Sequence, residues 1–237
     1  MQCPRCTAPM TAQELGSHHG RPVTIDICLP CQSMWFDTFE SVSLSPASTL
    51  ALFRLIGEHA EATPQHHTDV VHCPRCGAAM QKTHDLQRNT RFEYVRCPAR
   101  HGRLTTFYNF LREKNFIRPV TPDQLRELRA HIQSVHCSNC GAPIDLAAHA
   151  SCPHCGSPLT MLDLTQAGAL LAELQEAGQP SAEVDPALPL ALERARRDTQ
   201  ATFDAFEHTD VWFRDASSAG LVGAGVLAIA RWLNTRL

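Results

Sequence analysis

The chain has 237 residues, of which 6% are aromatic and 19% charged, and its formal net charge at pH 7 is −3. Its eleven cysteines come in tight pairs, separated by stretches with few large apolar residues. A module of about 30–40 residues cannot bury enough apolar surface to fold unaided, so this composition argues against one large core and favours several small cross-linked modules.

Composition shifts and turn-rich stretches divide the chain into six predicted segments. In order, they are a first zinc ribbon (1–40), a helix and linker (41–71), a basic second zinc ribbon with a C-terminal helix (72–133), a short third zinc ribbon (134–162), an acidic helical region with a linker at 178–188 (163–210) and an apolar C-terminal helix (211–237). The expected fold class is a small, metal-stabilised α+β protein, in which short β-hairpins form zinc-ribbon or zinc-knuckle modules and helices lie between them.

The first two segments contain one predicted strand and one predicted helix. Residues 21–28 alternate apolar and polar side chains, which predicts a strand leading into the second cysteine pair. Apolar residues at helical spacing predict a helix over 47–61. Residues 62–71 are polar and rich in histidine, and we interpret them as a linker.

The third segment is predicted to hold two paired strands and a helix. Residues 91–96 alternate as a strand, and residues 104–108 are expected to pair with it across the metal. The sequence Thr121-Pro122-Asp123-Gln124 is a capping box with proline at the first helical position. It predicts a helix from about residue 122 to about residue 133.

Beyond the third ribbon the pattern becomes helical and acidic. Asp163 is suited to cap a helix that carries several leucines up to Leu174, and residues 189–208 read as a charged helical stretch. Proline and small residues between 178 and 188 predict a linker.

The C-terminal segment is the most apolar of the chain. Residues 216–230 carry no charge and are flanked on both sides by tryptophan and arginine. Small residues recur at i+4 spacing, a pattern that permits close helix packing; they are Ala216, Gly220, Ala224 and Ala228. Residues 212–233 could therefore pack on protein, mediate homo-oligomerisation or insert into a membrane, and a disordered tail is a further alternative. Fifteen helical residues span only about 22 Å against a hydrocarbon core of about 30 Å, which favours packing.

Disulfide bonds are not expected for the cysteines. Residues 1–6 lack the apolar segment of a signal peptide, so we expect a cytoplasmic chain, in a reducing compartment where disulfides are rare. Eleven is an odd number, which would leave one cysteine without a partner. No βαβ pattern surrounds a Cys-x2-Cys pair, which argues against a redox dithiol.

The cysteine spacing instead predicts three sites with four ligands each. The two ligand pairs of a site are separated by 21 residues in the first site, 20 in the second and 11 in the third. The second site lacks a fourth cysteine, and His101 stands at the missing position, with His84 as the alternative. The twelve predicted ligands are Cys3, Cys6, Cys28, Cys31, Cys73, Cys76, Cys97, His101, Cys137, Cys140, Cys152 and Cys155. Closed sets of four nitrogen or sulfur donors are typical of structural zinc, so we expect three structural Zn²⁺ ions.

Residues beside the cysteines support tight turns at these sites. Glycine follows the second cysteine of a pair at Gly77, Gly141 and Gly156, where it allows a positive φ angle. Proline follows the first cysteine at Pro4, Pro74 and Pro153, where it fixes φ. Such turns direct backbone N–H groups toward thiolate sulfurs and are typical of zinc knuckles.

The first 40 residues resemble the transcription factor IIB-type zinc ribbons found in many short bacterial proteins. The resemblance is carried by Cys3-Pro4-Arg5-Cys6, Ile25-Asp26-Ile27-Cys28-Leu29-Pro30-Cys31, Met34-Trp35-Phe36-Asp37 and Glu40. It implies a ribbon fold with one zinc ion, Trp35 packed beside the metal and no reaction of its own. The family usually has glycine where this chain has Gln32, Ser33 and Phe39. The third site is similar to short zinc ribbons at the ends of bacterial membrane and regulatory proteins.

Charge is unevenly distributed along the chain. Residues 72–131 hold 12 basic and 5 acidic side chains, a net charge of +7, whereas residues 1–71 have a net charge of −4 and residues 132–237 one of −6. Aromatic residues of the basic region include Phe92, Tyr94, Phe107, Tyr108 and Phe110. Basic groups with exposed aromatics can bind nucleic acid, but the same aromatics could form the core of a small ribbon.

We predict a non-enzymatic protein that acts as a protein-interaction adaptor or scaffold, with nucleic-acid binding through residues 72–131 as the alternative. Catalytic zinc keeps an open coordination position, and no predicted site has one. The sequence motifs of common hydrolases, nucleotide-binding proteins and deaminases are absent. Asp37 and Glu40 could form a carboxylate pair, but capping or surface roles are expected for them. The location expected is cytoplasmic, with membrane attachment through the tail as the alternative.

Overall fold

The computed structural model describes residues 1–59, 70–87, 90–163 and 209–236. Most of the predicted linker at 62–71 lies outside the described residues. So do the predicted helix after Asp163, the linker at 178–188 and the charged stretch at 189–208.

Residues 1–59 form three strands and two helices, as far as the first predicted linker. They are β1 (Thr11–Leu15), β2 (Val23–Cys28), β3 (Ser33–Phe36), α1 (Glu40–Ser43) and α2 (Pro46–Glu58). The strand predicted at 21–28 is confirmed as β2, and its alternation places Ile25 and Ile27 in the core, at 0% and 2% exposure. The helix predicted over 47–61 is confirmed as α2, which begins after the N-cap Ser45, whose hydroxyl accepts a hydrogen bond from the Ser48 amide at 3.2 Å.

The middle of the chain adds four strands and two helices. They are β4 (Gln81–Gln87), β5 (Thr90–Arg96), β6 (Arg103–Thr106), α3 (Phe107–Glu113), β7 (Ile117–Pro119) and α4 (Pro122–His131). The predicted capping box of α4 is present, with the Thr121 and Gln124 side chains both engaged. This helix ends two residues before the predicted boundary.

The strand predicted at 104–108 is too long. It pairs with β5 as expected, with Val95 opposite Leu104, but it ends at Thr106. The Thr106 hydroxyl accepts a hydrogen bond from the Asn109 amide at 3.1 Å and so caps α3. Phe107 and Tyr108 are therefore helical, because the cap starts a new element where apolar alternation alone predicted more strand.

The described C-terminal part contains β8 (Ser134–His136), β9 (Pro143–Asp145), β10 (Thr160–Leu162) and α5 (Asp210–Arg236). Strands β8 and β9 form a hairpin with Val135 opposite Ile144. Strand β10 pairs with β7. This second pairing ties the third metal module to the chain that precedes it.

The first two modules share one antiparallel sheet of six strands, in the order β1-β2-β3-β6-β5-β4. Its central pair is β3 with β6, in which Ser33 lies opposite Thr106 and Phe36 lies opposite Arg103. A shift of 70 residues superposes Cys3-Pro4-Arg5-Cys6 on Cys73-Pro74-Arg75-Cys76. The same shift carries Ser33 to Arg103 and Phe36 to Thr106, so the two halves of the sheet are related by a local two-fold axis between β3 and β6.

The main apolar core lies between this sheet and three helices. Phe36 of β3 stacks on Phe110 of α3, with ring centroids 6.0 Å apart. Phe53 of α2 meets Phe116 edge-on at 5.4 Å. Val226 of α5 is fully buried in the same cluster. The helices that follow the first two modules therefore cover one face of the shared sheet.

The predicted C-terminal helix is not continuous, because α5 breaks at Gly220. This glycine has φ 74° and ψ 166°, a conformation that is nearly restricted to glycine. The first half packs on the third module, and the second half packs both on that module and in the main core. Trp212 and Phe213 contact the third module, and the Phe213 ring stacks on His131 at 4.0 Å, whereas Val222 packs in the main core.

The small residues of the C-terminal helix pack against other parts of the same chain. Ala216 and Ala224 are fully buried and Ala228 is 6% exposed. The break at Gly220 interrupts the regular i+4 spacing on which the stripe was predicted. Ala216 and Ala224 still lie in one apolar cluster with the third module, and Ala228 lies in the main core. Among the helices within the described residues, none has the length and apolar character needed to cross a bilayer.

Candidate metal centres

Four tight turns of the same kind carry four of the five Cys-x2-Cys pairs. In the first turn the Cys3 amide donates to the Ala8 carbonyl and the Thr7 amide donates to the Cys3 carbonyl, both at 2.8 Å. The turns that begin at Cys73, Cys137 and Cys152 repeat both hydrogen bonds at 2.8–2.9 Å.

The residue after the second cysteine has a positive φ in all four of these turns. As predicted, glycine provides it in three, with φ between 71° and 73°, at Gly77, Gly141 and Gly156. In the first turn Thr7 takes the same place at φ 60°.

The first centre gathers Cys3, Cys6, Cys28 and Cys31. Cys28 is the last residue of β2, and Cys31 lies in the turn before β3, so the β-hairpin brings the later pair to the first turn. Three of the four thiols are buried, and the Sγ atoms of Cys6 and Cys28 are 3.5 Å apart.

The second centre gathers Cys73, Cys76, Cys97 and His101. The Nδ1 atom of His101 lies 3.6 Å from the Cys97 sulfur and 3.8 Å from the Cys73 sulfur, and the sulfurs of Cys76 and Cys97 are 3.6 Å apart. The alternative ligand His84 lies elsewhere, on the exposed strand β4, with its ring 3.8 Å from the Glu93 carboxylate. The structure thus brings His101, and not His84, to this centre.

The third centre gathers Cys137, Cys140, Cys152 and Cys155. Its sulfur atoms are 3.7 Å apart for Cys137 and Cys155 and 3.8 Å apart for Cys140 and Cys152. Strand β8 ends immediately before Cys137, and strand β9 lies between Cys140 and Cys152. The centre has two buried thiols, one half-buried and one exposed.

The donor geometry of all three centres is suited to a metal ion. The ligand atoms of each group lie within 4.8 Å of one another, and the closest sulfur pairs are 3.5–3.8 Å apart. A disulfide needs about 2.05 Å between sulfurs, whereas a tetrahedral ion with metal–sulfur bonds of about 2.3 Å places its sulfurs about 3.8 Å apart. None of the eleven cysteines forms a disulfide bond, and the closest sulfur pairs are separated by about the edge of this tetrahedron.

Crowding of the thiols drives their pKa values apart. Hydrogen bonds from Cys28 and Cys31 lower the pKa of Cys3, and the hydrogen bond to Cys3 raises the pKa of Cys28 to about 12. In the third centre, burial raises the pKa of Cys140 to about 11. Several negative sulfurs at this distance repel one another unless a cation lies between them, and a bound metal ion would hold all of them as thiolates.

The first and second centres are joined by a small apolar cluster between them. Trp35 and Leu104 face each other across the central strand pair and are 1% and 2% exposed. Both pack in one cluster with cysteines of the two centres. The position of Trp35 beside the first centre agrees with what the resemblance implied. Gly102 permits this packing, because a β-carbon there would lie 2.7 Å from the Trp35 ring and 2.5 Å from the Phe36 carbonyl oxygen.

Asp37 and Glu40 close the turn after β3. The Trp35 indole N–H donates to Asp37 at 2.9 Å, and the Asp37 amide donates to the Glu40 carboxylate at 2.7 Å. Asp37 also pairs with Arg75 of the second module at 2.6 Å. Burial raises the pKa of Glu40. These carboxylates therefore shape the junction of the two modules, as expected from capping and surface roles.

Most aromatics of the basic segment belong to the core. Five of its six aromatics are at most 5% exposed, namely Phe92, Phe107, Tyr108, Phe110 and Phe116. Tyr94 is half-buried, its ring stacked on Phe92 at 5.9 Å and covered by the Arg103 guanidinium at 4.7 Å. The part of the nucleic-acid hypothesis that requires several exposed stacking residues is not supported by this arrangement.

Sequence analysis missed a buried ionic cluster beside this site. Glu113 is 6% exposed and pairs with Arg103 at 2.6 Å and with Lys114 at 3.8 Å. It also accepts a hydrogen bond from the Ser41 hydroxyl, and burial lowers the pKa of Lys114. Glu113 and Lys114 read as ordinary surface charges in the sequence, and only the packing of α1 on α3 buries them.

The fold and the site define a small mixed α+β protein with an antiparallel sheet and three sulfur-rich centres that could each hold a metal ion. Comparison of the chain with protein-family models, with curated proteins and with solved structures found no match.

Proposed function

We propose that the three centres hold structural Zn²⁺ ions in zinc-ribbon-like modules and that the protein is a non-enzymatic interaction adaptor. The single observation that supports this most strongly is the closure of every centre by four protein donors. Zinc is the metal whose structural sites have this composition, Cys₄ or Cys₃His, at these separations. A centre with all four positions taken by protein has none left for a substrate or a reactive water.

The adaptor role is supported by the rigid surfaces that the modules present. The shared sheet leaves strand β4 as an edge, and six of its seven residues are exposed. Large apolar side chains are also exposed, with Phe39 at 77% and Val42 at 68%. Surfaces of this kind are typical of proteins that bind other proteins.

Nucleic-acid binding is the second candidate, and its only support is the positive charge of the second module. Arg91, Arg96 and Arg100 are exposed on the second module. Phosphate contacts would make binding weaken steeply with salt. Fluorescence anisotropy with generic single-stranded RNA and duplex DNA, from low to physiological salt, tests this candidate: strong salt-sensitive binding would favour it over the adaptor role.

The adaptor role is tested by quantitative affinity purification from the native cell, with the full-length chain as bait. Proteins enriched in stoichiometric amounts after nuclease treatment support it. Enrichment that nuclease treatment abolishes would support the second candidate, and a chain that recovers no partner above background would contradict the adaptor role. The tail must stay in the bait, because its apolar residues form part of the core.

Homo-oligomerisation and a cytoplasmic location remain proposals that light scattering and fractionation can test.

A further inference from the structure

A groove with a volume of about 680 Å³ runs between the 37–42 segment and the hairpin of β4 and β5. One wall is formed by Phe39 and Val42, which are the two most exposed large apolar side chains of the described residues, at 77% and 68%. The opposite wall is formed by Tyr94 and Phe92, with the Arg103 guanidinium over the Tyr94 ring. The groove therefore has exposed apolar side chains on one side and, on the other, the half-buried Tyr94 ring above the buried Phe92.

Phe39 is held in a strained backbone conformation at this groove. Its φ and ψ are 69° and −1°, in the left-handed region that disfavours a bulky side chain. Its side chain gains little from burial in return, because 77% of it is exposed. An exposed aromatic in a conformation suited to glycine or asparagine contributes nothing evident to stability, which points to a role in binding.

At the end of the groove near the second metal centre, the side chains outside ion pairs are positively charged. Within the groove, Glu113 is paired with Arg103 and Asp37 is paired with Arg75. Arg96 and Arg100 are exposed at the groove, and no carboxylate of the described residues forms an ion pair with either.

The opposite end of the groove carries a negative group. Asp85 lies on β4 opposite Phe92, and it accepts a hydrogen bond from the Leu86 amide at 2.8 Å. The groove thus combines an apolar middle with one basic end and one acidic end.

We infer that this groove binds an acidic peptide segment of a partner protein, with a large apolar side chain between Phe39 and Tyr94 and carboxylates on Arg96 and Arg100. This inference rests on the proposed adaptor function and specifies its surface. A peptide fits better than nucleic acid, because a phosphate backbone carries charge at every nucleotide and would meet Asp85 and the exposed aliphatic Val42. Discrete carboxylates beside an apolar anchor match the arrangement of the two arginines.

The test uses the full-length, zinc-loaded chain as bait for a phage-displayed library of random peptides. The expected result is enrichment of peptides that combine aspartate or glutamate with a large apolar side chain. One enriched peptide is then synthesised with a fluorophore, and its affinity is measured by anisotropy. We expect Phe39→Ala, and separately Arg96→Glu with Arg100→Glu, to weaken binding about tenfold or more, since the first removes the apolar contact in the middle of the groove and the second reverses the charge of its basic end.

Matched controls come from the other face of the same hairpin. Leu86→Ala removes an exposed apolar side chain and Arg91→Glu reverses an exposed charge, and both residues lie opposite each other on β4 and β5, away from the groove. Both controls should leave the affinity unchanged. Metal content and circular dichroism confirm that every variant is folded, so that a loss of affinity reports the surface.

Four outcomes would overturn the inference. They are the absence of enriched acidic peptides, equal binding by groove and control variants, single-stranded RNA binding that the arginine reversals abolish, and self-association that Phe39→Ala abolishes. The last two would assign the groove to nucleic acid or to a second copy of the chain. If affinity purification still recovers protein partners while the groove variants bind peptide normally, the adaptor function stands and only this surface assignment fails.

Discussion

Gly220 packs directly against the backbone of His136, and a β-carbon at Gly220 would lie 2.6 Å from the His136 carbonyl oxygen. This contact joins the C-terminal helix to strand β8, immediately before the first cysteine of the third centre. It explains why α5 breaks at this residue: the chain passes β8 too closely for any side chain. The half before the break packs in the cluster of the third module, whereas the half after it reaches both that cluster and the main core.

Gly220→Ala should destabilise the protein strongly. The substitution adds a steric clash with backbone to the strain of a φ of 74° and a ψ of 166°, and we expect a loss of about 2–4 kcal/mol in the free energy of unfolding. Denaturant titration with saturating zinc provides the measurement. Gly20→Ala is the control, since φ is 75° there and no atom lies within 4 Å of the added carbon. Equal losses at both positions would show that the packing against His136 does not matter.

Thr7→Gly should stabilise the protein by about 0.5–1 kcal/mol. Thr7 has φ 60° in a turn whose three counterparts use glycine, and relief of left-handed strain exceeds the added entropy of the unfolded chain. The reciprocal change Gly77→Thr should cost a similar amount, because no atom within 4 Å obstructs the new β-carbon. Thermal unfolding of the zinc-loaded variants measures both. A destabilised Thr7→Gly variant would contradict the account.

The purified chain should carry three zinc ions, measured by elemental mass spectrometry against protein concentration. Cys97→Ser should lower the count to two, because a structural zinc site with three protein donors binds much more weakly. His101→Ala should also remove one ion, whereas His84→Ala should remove none, since only His101 lies with the second group. A count near two in the unsubstituted chain would show that the second centre does not hold zinc.

Loss of metal from the second centre should also loosen the first. The two centres share the central strand pair of one sheet and the apolar cluster around Trp35 and Leu104, and metal binding and folding are coupled in small modules. In Cys97→Ser, hydrogen exchange should accelerate in β2 and β3 as well as in β5 and β6. The control Cys155→Ser should chiefly affect β8 and β9. Undisturbed exchange in β2 and β3 of Cys97→Ser would show that the two modules fold independently.

Glu113→Gln should destabilise the protein far more than Asp37→Asn. Glu113 is 6% exposed, and its removal leaves the Arg103 side chain, 18% exposed, without its charge partner, which costs about 2–4 kcal/mol. Asp37 and Arg75 are 39% and 52% exposed, so screening by solvent limits their pair to less than about 1 kcal/mol. Denaturant titrations of the two variants at equal salt and zinc give the comparison. Similar losses would mean that burial does not separate the two ion pairs.

Local chemistry explains what the sequence predicted well. The ligand sets could be read from spacing, because a metal-binding turn places two cysteines and a glycine at fixed offsets. Helices α2 and α4 were predicted because Ser45 and Thr121 cap them through contacts within three residues. These features depend only on neighbours along the chain.

The order of strands in the central sheet could not be predicted from local sequence patterns, because such patterns do not specify which strands pair with each other. The pairing of Trp35 with Leu104 joins residues 69 positions apart. It depends on the packing of the first two modules around a common core. The burial of the aromatics in the basic segment and of Glu113 follows from that pairing and from the helices packed on the sheet.

The sequence by itself determined the three groups of four candidate donors and the turns that present them, since short stretches encode where the sulfur and nitrogen atoms stand. Only the tertiary structure decided that two modules form one sheet and that the C-terminal helix breaks at Gly220. The physical reason is that both outcomes depend on close packing between distant segments, where one β-carbon too many at Gly102 or Gly220 would force the backbones apart.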